Sequence, residues 1–154
     1  MMKENVSRIP GRLREIIDDF QLSEGREKLE LLLQFSEQMA PLPERLRNDK
    51  HDREQVHECM TPVFIFSDLK DGRLIFHLDI PKSAPTVRGF ASILVQGLEG
   101  ATPEEVLSVP ADFYINMGLD KVLTHQRLNG ISAILAHMKS LALKEHLQIR
   151  NNSG

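Results

Sequence analysis

The stretch "KDGR", Lys70 to Arg73, constrains the fold of this chain more than any other. Asp71-Gly72 supplies the two positive φ values that a tight primed turn needs, and such a turn joins adjacent antiparallel strands. After it, Arg73 to Asp79 alternates, with Leu74, Phe76 and Leu78 on one side and Ile75 and His77 on the other. Before it, Val63 to Phe66 is a short β-branched and aromatic run. The two segments read as a hairpin. Upstream, "REQVHE" is long enough for a further edge strand, which would put Cys59 at the bend between two strands.

Helical periodicity lies on both sides of this sheet. Leu13, Ile16, Ile17 and Phe20 fall at i, i+3, i+4 and i+7, with Pro10 where a first turn tolerates it, and Leu29, Leu32, Leu33 and Met39 extend a second apolar face. Pro41 and Pro43 in "APLPERLR" end that helix. Beyond the hairpin, Val87, Phe90, Ala91, Leu94 and Leu98 share a face that Gly100 can close. Thr102, Pro103 and Glu105 form a capping-box signature, and "PADFYINMG" makes a short helix ending at Gly118. Leu128, Ile131, Leu135, Met138 and Ala142 define a terminal helix from about Thr124, with a frayed "RNNSG" tail. The expected class is α+β: a small three-stranded antiparallel sheet covered by helices from both chain ends, in a single domain over residues 1–154 with its core at about 10–142.

A chain of 154 residues can bury a continuous core without covalent staples, and its one cysteine excludes an intramolecular disulfide, a zinc ribbon and an iron-sulfur ligand set. A reducing compartment is the natural setting. Net charge is −3 with both signs interspersed, so no basic stripe marks a nucleic-acid partner. No stretch approaches the roughly 20 apolar residues of a membrane span. The expectation is a cytoplasmic protein, or a plastid one had a transit peptide been removed. The six histidines lack metal-ligand spacing, and neither a dinucleotide fingerprint nor a Walker loop is present.

Cys59 in "HECMTPVF" has two readings. A solitary cysteine beside an apolar strand is commonly a small buried hydrophobe. Yet Cys59 precedes the apolar run, and Pro62 interrupts the ladder after it, so the thiol could be presented to a partner. His57 and Glu58 alternate in direction if this piece is extended, which disfavours a catalytic pair made from sequence neighbours. Arg127 falls in the first turn of the terminal helix, where a cation opposes the helix dipole by roughly 0.3–1 kcal/mol. It either pairs with a surface carboxylate or stabilises a thiolate, a persulfide or a carboxylate on a partner. Arg88, beside Gly89 early in its helix, raises the same question.

In order and spacing, "PLPE", "HECMTPVF", "VRGF", "TPEE" and "LTHQRLNG" together resemble the SufE family of sulfur-acceptor proteins over residues ~10 to ~142. The resemblance implies that Cys59 is the thiol that forms a persulfide, taking sulfur from a pyridoxal-phosphate cysteine desulfurase of the SufS type and passing it to an iron-sulfur scaffold complex. The pyridoxal phosphate would belong to the desulfurase, and this chain would hold no cofactor or metal and turn over no substrate alone. Arg127 would stabilise an anion and Thr61 support the loop, with Glu58, Met60, Arg88 and Asn129 facing the partner. A related U-type scaffold needs several thiolates, which this chain lacks. Glu58 stands where the family usually has glycine, Pro81-Lys82-Ser83 replaces an acidic "DSD", and Phe64 replaces a common tryptophan. Glu58 motivates an alternative expectation, a regulatory module that binds a desulfurase without transferring sulfur.

Overall fold

The computed structural model describes residues 9–47, 54–55 and 62–153. Its centre is the hairpin: β2 (Phe64–Lys70) pairs antiparallel with β3 (Arg73–Asp79) in a register that sets Ile65 opposite Leu78 and Ser67 opposite Phe76. Asp71 (φ 53°) and Gly72 (φ 77°) make the expected primed turn. Ahead of it, β1 (Glu54–Gln55) adds only two residues, pairing with Ile65 and Phe64. A three-stranded sheet was expected; among the described residues only β2 and β3 are full strands, and β1 is a two-residue edge pairing. On the strand side of the hairpin Pro62, which has no N–H to donate, precedes β2, and β2 begins at Phe64.

Because side chains alternate across a strand, Leu74, Phe76 and Leu78 face one side of the sheet and are buried. Two helices lie on the sheet. One is α4 (Pro85–Gly97), packed on β3, and the other is α7 (His125–Ser153), packed on β2. The N-terminal pair, α1 (Gly11–Leu22) and α2 (Arg26–Glu37), packs on α4. With neighbours on several sides, α4 is apolar nearly all round and buries Phe90, Ala91, Ile93 and Leu94. The short α3 (Glu44–Arg47), α5 (Pro103–Leu107) and α6 (Phe113–Asn116) complete the order. The capping box of α5 is complete, Thr102 Oγ1 accepting from Glu105 N at 3.2 Å and Glu105 Oε1 accepting from Thr102 N at 3.2 Å.

Two helical expectations change. On α2 the buried stripe is Lys28, Leu32 and Ser36, whereas Leu29 and Leu33 are 37% and 46% exposed. Lys28 belongs inside because its ammonium donates to the Phe20 carbonyl in the last turn of α1, where the helix dipole favours a cation. Gly89 then lets α4 approach so closely that the Leu32 backbone fills the space beside it. In α7, helix continues to Ser153, through most of the tail expected to fray. Among the described residues no helix is long and apolar enough to cross a membrane.

On the other side of the sheet Asp68 accepts from Arg45 of α3 and lies 3.0 Å from His77 Nε2. Burial pushes the Asp68 carboxyl up, but its hydrogen bonds and charge interactions with Arg45 and His77 outweigh that and hold it below the ordinary carboxylate range. The depressed folded-state value means that this contribution to stability is complete above the unfolded pKa, about 4, and is lost as pH falls below it through the folded value. Thermal melts of the wild type and Asp68→Asn should therefore differ most at neutral pH and converge only below about pH 4. A gap that closed at higher pH would contradict this assignment.

Candidate functional site

Cys59, Glu58, Met60 and Thr61, together with His57, lie outside the described residues. The structure does define the frame from which that segment departs. Gln55 pairs with Phe64, and Phe64 pairs with Asp79, so both of the segment's flanks stand at the end of the sheet where β3 leads through Ile80 into α4.

Two helix N-termini meet there. Thr124 caps α7, its hydroxyl accepting from the Arg127 amide at 3.4 Å, as its place in the sequence suggests. The Arg127 side chain reaches across to α4 and donates to Thr86 Oγ1 at 3.1 Å. Arg127 is exposed, and among the described residues it has no carboxylate partner. A cation next to two converging positive dipole ends, held only by a neutral hydroxyl, leaves an uncompensated positive potential. An anion placed there would be stabilised, and a thiol would ionise more readily.

Arg88 does something different. It is half-buried, with Nε donating to the Ser36 carbonyl at 3.2 Å and Nη1 donating to the Ile80 carbonyl. It thereby ties the end of α2 to the exit of β3, and it lines a cavity of about 630 Å3 with Leu33, Met39, Lys82 and Pro85. Asn129 is exposed one turn into α7, and Gly130 beside it is buried. The fold thus joins Arg127 to α4 through Thr86, with Asn129 exposed two residues on, but turns Arg88 toward α2 and the exit of β3, where it has a structural duty. Sequence reasoning missed Thr86, because its link to Arg127 joins residues 41 positions apart. It also missed the Arg45–Asp68–His77 group, whose members come from three separate elements. Among the described residues no three His, Cys, Asp or Glu side chains are grouped to hold a metal ion.

The family model of the SufE, Fe-S metabolism associated domain matches residues 14–142. An uncharacterised SufE-like protein of Mycobacterium tuberculosis is 41% identical over 132 residues, covering 85% of this chain and 91% of its own. The cysteine desulfuration protein SufE of Plasmodium vivax is 27% identical over 135 residues, 85% of this chain and 52% of that protein. A solution structure of a hypothetical protein from Thermus thermophilus superposes with a TM-score of 0.77 at 34% identity, covering 88% of this chain and 96% of that one. With a match running from α1 into α7 and through every landmark of the hairpin and α4, the chain belongs to the SufE family.

Proposed function

We propose that this protein accepts sulfur as a persulfide on Cys59 from a cysteine desulfurase, stimulates that enzyme by clearing its thiol, and passes the sulfur on to iron-sulfur cluster assembly. The observation that carries this reading is a single cysteine inside a SufE-family match of nearly full length. The name of the P. vivax relative, a cysteine desulfuration protein, supports the choice of donor. The Cys59 thiolate attacks the outer sulfur of the desulfurase persulfide. The sulfur–sulfur bond there breaks, its electron pair leaves with the desulfurase thiolate, and a new sulfur–sulfur bond forms on Cys59. One bond replaces another with no net oxidation, so one thiol suffices.

The frame around Arg127 supports the same reading. Cys59 is three residues from Pro62, and covalent geometry keeps it within about 11 Å of that position. Arg127 links the N-termini of α4 and α7 through Thr86 and carries a positive charge without a carboxylate partner among the described residues. Mass spectrometry after incubation with a desulfurase and cysteine tests the proposal. An adduct of about 32 mass units, one sulfur atom, is expected on the Cys59 peptide. Its absence under turnover would sink the carrier role.

Arg127→Ala should lower the rate of persulfide loading about tenfold, equivalent to ~1.4 kcal/mol, while the melting temperature hardly moves because the side chain is exposed. Arg127→Lys keeps the charge and should recover much of the rate. Equal losses in both variants would instead point to the fork geometry of the guanidinium.

A further inference from the structure

The outer edge of β3 is incompletely paired. Leu74 N donates to Ala101 O at 2.7 Å and Leu74 O accepts from Gly100 N at 3.0 Å, so Leu74 turns its backbone groups away from β2. Backbone direction alternates along a strand, so Phe76, Leu78 and Ile80 point the same way. Arg88 occupies the Ile80 carbonyl. The N–H and C=O groups of Phe76 and Leu78 have no partner among the described residues; they face a cavity of about 240 Å3.

The opposite wall of that cavity is the strap Gln38 to Leu42. Its direction follows from its two anchors. Ser36, just before it, shares Arg88 with Ile80, while Arg45, just after it, reaches Asp68, the residue directly across from Ile75. The strap therefore runs antiparallel to β3. The anchors fix direction rather than register; the antiparallel register midway between them sets Ala40 opposite Leu78 and Leu42 opposite Phe76.

The prolines agree with this alignment. Pro41 and Pro43 have no N–H, and they fall at the positions whose backbone would point away from β3, the only places where an edge strand tolerates proline. Ala40 and Leu42, which keep their N–H groups, fall at the inward positions. Side chains agree as well: Leu42 would stand beside Phe76 on the apolar face, and Pro41 beside His77 on the other. An unpaired edge is a template for a foreign strand, and a segment of the same chain is the occupant with the least entropy to lose.

We infer that the strap closes onto β3 as a fourth antiparallel strand, with Ala40 paired to Leu78 and Leu42 to Phe76, and that the cavity is the open position of this element. Closure exchanges the bond that Arg47 Nε donates to the Leu42 carbonyl at 2.9 Å for pairing with Phe76, satisfies the backbone of Phe76 and Leu78, and removes a free edge at which a second chain could pair.

Solution NMR of the full chain tests this. A nuclear Overhauser contact between the α protons of Pro41 and His77, which face each other at a non-hydrogen-bonded position in that register, is expected in the wild type. Its absence overturns the inference. Amide exchange gives an independent readout. Phe76 and Leu78 should be protected in the wild type and should exchange at least about tenfold faster in Leu42→Pro, which removes one inward N–H. Ile75 and His77, bonded to β2, should stay protected and show that the hairpin is intact. Wild-type exchange of Phe76 and Leu78 at unprotected rates, or protection that Leu42→Pro leaves unchanged in a folded protein, overturns the strap pairing.

Discussion

Cys59→Ser is expected to abolish persulfide formation and to reduce stimulation of a cysteine desulfurase to the level without this protein, while binding to the desulfurase changes less than about threefold, or ~0.7 kcal/mol. Serine is nearly the same size as cysteine, so a docking surface should survive the change. Its hydroxyl ionises too weakly at neutral pH to attack a disulfide sulfur, so the exchange step stops. Turnover assays with and without the variant, paired with a binding isotherm, separate the two expectations raised by the sequence. Stimulation lost with binding retained identifies a carrier. Stimulation and binding both retained would instead identify a regulatory module that never handles sulfur. Glu58 enters this comparison directly: a carboxylate beside a thiol disfavours the thiolate, so Glu58→Gly should speed alkylation of Cys59 if that side chain lies close to the sulfur.

Legibility in the sequence followed the range of the interaction. Asp71-Gly72 and the Thr102–Glu105 box are local, each set by a few adjacent residues, and both stand as read. The apolar face of α1 is also local in this sense, since periodicity alone selects Leu13, Ile16, Ile17 and Phe20. On α2, periodicity selected Leu29 and Leu33, but the buried face was decided by what lay opposite. Lys28 found the Phe20 carbonyl and Leu32 found the bare backbone at Gly89. No reading of α2 by itself contains either fact. Of the edge strand expected in "REQVHE", the described residues Glu54 and Gln55 do pair with β2, and the rest of that segment lies outside the described residues. At the candidate site the Thr124 cap was legible from its local sequence, whereas Cys59 lies outside the described residues. Thr86 and the double anchorage of Arg88 were not legible, because they depend on how α4 meets α7 and α2.

Gly89→Ala should be among the most destabilising single substitutions in this fold. A Cβ at position 89 would stand 2.1 Å from the Leu32 carbonyl oxygen and 2.9 Å from its carbon. Both atoms are backbone in the middle of α2, so neither can turn aside; the two helices must separate. Separation disturbs a crowded region. Phe90 stacks on Phe113 with ring centroids 5.5 Å apart, and Arg88 bridges α2 to Ile80 one residue before Gly89. Overpacking of this kind costs about 1–3 kcal/mol and more where the backbone must shift, so a loss of at least ~3 kcal/mol is expected. In a chain of this size that lowers the melting temperature by roughly 6–12 °C. Gly97→Ala supplies the comparison, since its added Cβ would meet the Leu13 side chain at 2.8 Å and the Leu13 Cα at 3.0 Å, contacts that a small shift of one side chain and helix can partly relieve. Denaturant melts of the two variants should rank Gly89→Ala as clearly the worse. The reverse order would mean that α2, rather than α1, is the helix free to move against α4.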